Sequence, residues 1–377
     1  MKITAVIAEF NPFHNGHRYI LGECRARTQA DAVLILMSGD YVERGAPAIA
    51  DRYFRAETAL QNGADLVLFL PSRFVLRSAE GYAHAAVSLL DRLGCVDSLF
   101  FGSECGEIAP LLECAHALSE ESDARKEILR RHLREGLSFP KARALAWPEY
   151  AEILDAPNNI LGIEYLKALH SVHSVIEPST VPRVGPSHND KYLGKEYASA
   201  SAIRALLSEQ SGKNAEEISR ALPVPEVCRQ ALLRYFAEHR PVASDDFSEL
   251  LGIRLMELRS RGELLSYPDV DNDLAGTIFS NRFAYEGFTS YADRIKSKAY
   301  TMTRIHRVLL RIALNLREEG ASVPLYARAA GFTEQGARLL ADLRKKSAVP
   351  VLTQNSERVM LSPEAQDLYD EEVRLSN

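Results

Sequence analysis

The sequence predicts a doubly wound α/β fold, a mostly parallel sheet with helices on both faces, followed by an α-rich region. Three observations carry this expectation. Short, nearly continuous apolar runs recur through the first hundred residues. Helix-length amphipathic segments separate them, and each run ends in a loop rich in Gly, Pro, Asn or Ser. Continuous apolar strands alternating with helices are what a parallel sheet buried on both faces requires.

The elements follow in order. Ile3 to Ala8 is an apolar run, β-branched at Ile3, Thr4, Val6 and Ile7. Ala32 to Met37 is the second run, closed by Ser38-Gly39-Asp40. Asp65 to Leu70 is the third, closed by Pro71, and Ser98 to Phe101 the fourth, closed by Gly102. Good helix formers with helical apolar spacing fill about 17–29, 51–62 and 78–93. From about 107 to 150 the pattern is helical and charged, an insertion into the α/β unit. A loop at Pro157-Asn158-Asn159, a helix near 160–170 and an apolar Val172-to-Ile176 strand come next. A Pro/Gly/His/Asn-rich loop spans Pro178 to Asp190, and Ser199-Ala200-Ser201 opens a helix. After about 206 helical patterns dominate, giving an expected division at 1–205 and 206–377.

Composition narrows the class. The chain has 377 residues, enough for two domains with full cores. No apolar stretch approaches the ~18 residues that a membrane span needs. Five cysteines without a C-x-x-C pair argue against a disulfide framework or thiolate zinc site and point to a reducing, cytoplasmic setting. The net charge of −6 excludes a global basic field for nucleic acid, though not a local basic patch. No stable protein partner is expected.

In doubly wound sheets ligands sit at the carboxyl ends of the strands, so the loops at 9–17, 38–50, 71–80 and 102–106 are the places to search. The strongest signal there is Glu9-Phe10-Asn11-Pro12-Phe13-His14-Asn15-Gly16-His17. A strand ends, the chain turns through Asn-Pro, and a helix begins near Gly16. A helix start is a ready anion site. Two imidazoles three residues apart can both reach a phosphate, as charge-assisted donors when protonated. Gly16 would let the backbone approach a bulky ligand. A G-x-G-x-x-G fingerprint is absent, H-E-x-x-H is absent, and loop histidines satisfying a turn remain the plain alternative. A second signal, Ala198-Ser199-Ala200-Ser201-Ala202-Ile203-Arg204, places hydroxyls at a helix start with an arginine one turn on. Ser199, Ser201 and Arg204 there form a candidate clamp for the β and γ phosphates, or a simple N-cap.

The H-x-G-H segment after the first strand resembles the nucleotidylyltransferase superfamily, which includes class I aminoacyl-tRNA synthetases; the Ser-rich helix start ending in Ile203-Arg204 resembles its second signature. A longer set resembles the tRNA(Met) cytidine acetate ligase family across nearly the whole chain. It comprises Ala8 to His17, Met37 to Ala48, Leu99 to Glu104, Pro157 to Tyr165 and Tyr300 to Ile305. The resemblance implies a two-step reaction: acetate and ATP give acetyl-adenylate and pyrophosphate, then the wobble cytidine of elongator tRNA(Met) takes the acetyl group on N4. It implies ATP as cofactor, with Mg²⁺ expected beside it. ATP would be wrapped by Ile7, Ala8, Glu9, Phe10, Asn11, Pro12, Phe13, His14, Asn15, Gly16, His17, Arg18, Tyr19 and Ile20. Gly102 would admit adenine or ribose, Asn158 or Asn159 would hydrogen-bond the nucleotide, and Arg183 would sit against phosphates. Phe10 stands where many relatives carry tyrosine, and the segment Arg183 to Asp190 departs from the family pattern around His188.

Catalysis is expected from His14 and His17, with Asp40 positioning Mg²⁺ or the acceptor amine, or capping a helix. Arg44 before Gly45 suits an anion. For RNA the candidates are Arg294, Lys296, Lys298, Arg304, Arg307 and Arg311, with Tyr291 and Tyr300 nearby to stack on bases. Arg304, Arg307 and Arg311 share a helix face, and Arg344-Lys345-Lys346 adds a second cluster. Two other functions compete: a nucleotidylyltransferase acting on a small cofactor precursor, and a non-catalytic RNA-binding factor that keeps a nucleotide site.

Overall fold

The computed structural model describes residues 1–120, 122–185, 196–209 and 222–376. Its centre is a seven-stranded sheet ordered β7-β6-β1-β2-β5-β8-β9. Strands β1 (Ile3–Ala8), β2 (Ala32–Ser38), β5 (Leu66–Leu70) and β6 (Ser98–Ser103) lie where the apolar runs predict them. They pair in parallel, Ile3 opposite Ala32 and Leu34 opposite Leu66. A two-residue hairpin, β3 (Tyr41–Val42) and β4 (Ala46–Pro47), projects from the end of β2.

Both faces of the sheet are covered, as continuous apolar strands demand. One face (Ile3, Ala5, Leu34, Leu36, Leu66, Leu68) packs against helices α4 (Ala79–Arg92) and α9 (Pro157–Ser171). The other (Val6, Val33, Ile35, Val67, Phe69) is covered by α1 (Asn15–Thr28) and α2 (Arg52–Leu60). The charged stretch after 107 is helical, as expected: α5 (Ile108–Ser119), α6 (Asp123–Arg134) and α7 (Phe139–Ala146).

Two strand expectations need correction. The run Val172 to Ile176 is not a strand; β7 is Glu177–Pro182, paired with β6 at the sheet's edge. An edge strand with one side unpaired tolerates the Pro178 and Pro182 that made this segment read as loop. The C-terminal part is also not purely helical. Its helices, among them α12 (Ser248–Glu257), α13 (Asn272–Asn281), α14 (Phe288–Ile295) and α15 (Met302–Leu314), form their own cluster around Leu251, Phe288, Ile305 and Leu309. The chain then returns to the sheet. β8 (Ala327–Phe332) runs antiparallel to β5, and β9 (Val351–Leu352) follows it. Two later helices, α16 (Glu334–Lys346) and α17 (Pro363–Ser376), bury Leu339, Leu343, Leu368 and Tyr369 in the same core as β1. That core therefore draws on residues from both sides of position 205.

Candidate active site

The carboxyl ends of β1 and β6, with the hairpin that follows β2, open into a cavity of about 410 Å³. Residues far apart in sequence meet there, and local geometry explains each placement.

The first wall is the turn between β1 and α1. His14 is the N-cap of α1: its Nδ1 accepts the Gly16 N–H at 3.1 Å, while His17 Nδ1 accepts the His14 N–H at 3.2 Å. This is a capping box built from two imidazoles. The rings stack with centroids 3.7 Å apart. With Nδ1 committed as acceptor, a neutral ring donates through Nε2. Through Nε2 each ring can thus meet a phosphate oxygen. Gly16 lines the cavity, and its missing side chain also serves the cap. A Cβ there would meet His14 Cε1 at 3.0 Å, so the glycine makes room for the imidazole. Phe10 is buried, its ring 5.0 Å from His17 and 4.9 Å from Phe13. It packs, as a ring without a hydroxyl can.

The second wall joins the two sequence signals. Ser199 Oγ accepts the Ala202 N–H at 3.1 Å at the start of α10 (Ala200–Glu209). Arg204, one turn on, donates to Asn11 O at 2.8 Å, tying this helix to the loop after β1. Ala200 and Arg204 line the cavity, whereas Ser199 and Ser201 are not among its lining residues.

The third wall is the loop after β6. Glu104 accepts from Asn158 Nδ2 at 2.6 Å and from the Asn159 N–H at 2.8 Å. In return Asn159 Oδ1 accepts the Glu104 and Cys105 N–H groups. Asn159 is buried in this clamp, and of the two it is Asn158 that lines the cavity. At Gly102 a Cβ would meet Ile20 Cδ1 at 2.9 Å and Arg183 Cγ at 3.0 Å. The missing side chain also lets Arg183 cross the strand into the cavity, 3.8 Å from Glu104, and Gly102 itself lines that cavity.

Of the 7–20 segment, Ile7, Ala8, Glu9, Phe10, Asn11, His14, Gly16, His17 and Ile20 line the cavity; Pro12, Phe13, Asn15, Arg18 and Tyr19 do not. Asn11 Oδ1 accepts the Ile49 N–H and Asn15 Nδ2 donates to Glu196 O, so both hold neighbouring loops. Arg18 is exposed on the outer side of α1.

Of the roles expected for Asp40, its contacts fit the helix-start alternative. Its carboxylate accepts from Arg52 Nε at 2.8 Å and from the Arg52 N–H at 3.1 Å, and it lies outside the cavity. It braces the start of α2. The RNA expectation is overturned at two positions. Arg311 is 1% exposed and donates to Leu76 O and Arg73 O. Arg307 is 7% exposed and pairs with Glu43 at 3.0 Å and Asp269 at 3.4 Å. Tyr291 is buried and donates to Ile278 O, so it offers no stacking face. Arg304 is held by Asp269 O, Asp271 and the Tyr300 ring. Arg294, Lys296 and Lys298 are exposed. His188 lies outside the described residues.

Arg44, expected to meet an anion, lines the cavity with Glu43 and Ala46 of the same β3–β4 hairpin. Tyr82 from α4, Tyr165 from α9 and Thr303 from α15 line it too. Gly45 explains the hairpin's seat: its φ is +77°, and a Cβ would fall 2.2 Å from Arg307 N. Only glycine lets the turn press on α15. Arg55 is buried under the site and donates to Glu9 O at 2.6 Å, Ser38 O at 3.3 Å, Ala50 O at 3.1 Å and Gly39 O. One guanidinium thus sets the ends of β1 and β2. Its signal was present, an arginine in the apolar part of a helix, but its partners are all backbone carbonyls that sequence does not mark.

The electrostatics are mixed. Burial pushes the carboxyls of Glu9 and Glu43 above their ordinary value; hydrogen bonding and Arg204, Arg44 and Arg55 oppose this at Glu9, and Arg307 at Glu43. Burial likewise lowers Arg183 and Arg204. Three arginines and two stacked imidazoles face a cavity that also holds two carboxylates, which suits a polyanion with a cationic or amine partner beside it. Among the described residues no group of three His, Cys, Asp or Glu side chains is placed to hold a metal ion.

A parallel sheet with an H-x-G-H helix start at its switch point and an arginine helix opposite defines an α/β protein that handles nucleotide phosphates. Comparison with known proteins makes this specific. A family profile described as HIGH Nucleotidyl Transferase matches residues 1–376. The tRNA(Met) cytidine acetate ligase of Clostridium kluyveri is 36% identical, covering 94% of this chain and 90% of that protein. That of Caldicellulosiruptor saccharolyticus is 37% identical, covering 100% and 93%. Thermotoga maritima TmcAL superposes in its apo form with a TM-score of 0.91 at 31% identity, over 100% of this chain and 93% of that one. Bound with alpha-thio ATP, it superposes with a TM-score of 0.87 at 31% identity, over 100% and 92%. The chain belongs to the HIGH nucleotidyl transferase family and, within it, to the tRNA(Met) cytidine acetate ligases.

Proposed function

We propose that this protein is an ATP-dependent ligase that activates acetate as acetyl-adenylate and transfers the acetyl group to N4 of the wobble cytidine of elongator tRNA(Met). The observation that carries the reading is the convergence of His14, His17, Arg183 and Arg204 on one cavity at the sheet's carboxyl edge.

The chemistry follows from that arrangement. An acetate oxygen attacks the α-phosphorus of ATP and the bond to the β-phosphate oxygen breaks, releasing pyrophosphate. Negative charge builds on the phosphate oxygens. His14 and His17 lie where Nε2–H donors can meet it, and Arg204 and Arg183 add fixed positive charge in a partly dry site. In the second step the cytidine amine attacks the acetyl carbonyl, loses a proton, and AMP leaves. No side chain is needed as covalent nucleophile; positioning and charge stabilisation suffice. Mg²⁺ would arrive with the ATP, held by its phosphates, and no step is assigned to it.

A tRNA substrate and five cysteines, all free thiols, fit a cytoplasmic setting. Among the described residues no helix is long and apolar enough to cross a membrane. The test is direct: purified protein with ATP, acetate and tRNA(Met), followed by nucleoside analysis. N4-acetylcytidine with stoichiometric AMP supports the reading. Pyrophosphate release that answers to a small mononucleotide but not to acetate would replace it with cofactor synthesis.

A further inference from the structure

A second cavity, of about 380 Å³, lies on the far side of the β3–β4 hairpin from the first. The hairpin is the partition. Val42, Glu43, Arg44 and Ala46 line the catalytic cavity, while Tyr41, Pro47 and Ala48 line the second. The reaction proposed above makes no use of this space.

Its chemistry is distinctive. Tyr53 is 49% exposed, held edge-on against Phe69 with ring centroids 5.6 Å apart. Tyr235, from α11 (Glu226–Glu238), stacks on His239 at 4.4 Å and 12°. Arg328 of β8 donates to Tyr53 Oη at 2.8 Å and to Asn355 Oδ1 at 2.9 Å, which fixes the orientation of the Tyr53 phenol. Asp40, already paired with Arg52, and Asp51, whose Oδ1 caps α2 by accepting the Tyr53 and Phe54 N–H groups, also line this cavity. Carboxylates repel a phosphate, but they accept hydrogen bonds from the exocyclic amine of a base. The exposed Tyr53 ring beside them offers a stacking face, whereas Tyr235 already packs against His239 and Phe54; Arg328 adds a further planar contact.

We propose that this second cavity receives an unpaired base of the tRNA loop next to the target cytidine, stacked on Tyr53, while the target itself enters the catalytic cavity across the hairpin. The inference rests on the tRNA reading of the first cavity. Single-stranded RNA is read by splaying neighbouring bases into separate pockets, and a one-layer hairpin between two cavities is a divider of that kind. It also supplies what the helix at 302–314 does not, since two of the three arginines expected to face RNA there are buried.

The test compares Tyr53→Ala and Tyr53→Phe with the wild-type full chain in two assays. One is acetate-dependent exchange of ATP with labelled pyrophosphate in the absence of tRNA. The other is acetylation at varied tRNA(Met). Loss of a stacking ring should raise KM for tRNA by about tenfold in Tyr53→Ala, with exchange within twofold of wild type, and Tyr53→Phe should restore KM. An unchanged KM in Tyr53→Ala overturns the proposal. A parallel fall in exchange overturns it too, since the ring would then support the fold or the nucleotide site. If the wild type itself acetylates no tRNA, the functional reading fails instead, and the two failures are told apart.

Discussion

Two regions of this molecule carry conspicuous polar residues at helical spacing, and the fold treats them in opposite ways. At the start of α1, His14 and His17 face a cavity. Along α15, Arg304, Arg307 and Arg311 share a face just as regular, yet that face turns inward. Arg307 is clamped by Glu43 and Asp269, and Arg311 by two carbonyls. Spacing says which residues share a face; it does not say whether the face meets water. What separates the cases is context. α1 begins at a strand's end, where no layer covers the sheet. α15 carries Ile305, Val308, Leu309, Leu310, Ile312 and Ala313, all buried, so the helix is enclosed on most sides and takes its arginines with it.

The comparison can be broken or sharpened by substitution. The largest effect is expected at the imidazoles. His14→Asn keeps a side-chain acceptor at the N-cap, so stability should stay within about 1 kcal/mol of wild type. Loss of a donor to the developing charge should lower the rate of pyrophosphate formation by roughly 10²–10³-fold. Single-turnover kinetics and thermal unfolding, run together, check both halves. An active His14→Asn would make the motif a cap and nothing more.

Arg311→Met should behave in the reverse sense. It keeps the volume of the side chain but orphans Leu76 O and Arg73 O, and denaturant unfolding should register a loss of roughly 3 kcal/mol. Affinity for tRNA per folded molecule should not change. A stable variant with weakened tRNA binding would return Arg311 to the RNA surface.

A smaller effect concerns Glu9. Burial raises its carboxyl above 4.5 in the folded chain, against the pull of the Glu43 N–H, Arg204, Arg44 and Arg55. A raised carboxyl contributes stability that is full below the unfolded value and is lost as pH rises through the folded one. The wild type should therefore lose stability relative to Glu9→Gln as pH climbs from about 4.5. Melting temperatures of the pair across a pH series measure this, and parallel curves would deny that the carboxyl is perturbed. The smallest effect belongs to Lys296→Ala with Lys298→Ala. These are exposed, and removing two phosphate contacts should flatten the salt dependence of tRNA binding by up to about 2 in log–log slope.

Much of this was legible in the sequence. Apolar runs mark β1, β2, β5 and β6 because each is buried on both faces. The two phosphate signals are legible because a helix start must be capped, and these caps are chemically unusual. Other parts are silent for physical reasons. β7 sits at an edge where proline is tolerated, so its prolines read as a break. β8, with Ala327, Ala329 and Ala330, has the composition of a helix and becomes a strand only because β5 offers it an edge. Gly16, Gly45 and Gly102 mark close approaches, but what approaches is an imidazole, a neighbouring helix and an arginine, none of which spacing can name. Arg55 binds only backbone carbonyls, so no partner residue betrays it.

The central claim is that the His14–His17 cavity forms acetyl-adenylate before tRNA is involved. Acetate-dependent exchange of labelled pyrophosphate into ATP, measured without tRNA, tests it most directly. The account predicts exchange in the wild type, none without acetate, and at least a hundredfold less in His14→Asn. Exchange that ignores acetate, or that persists undiminished in His14→Asn, would contradict it.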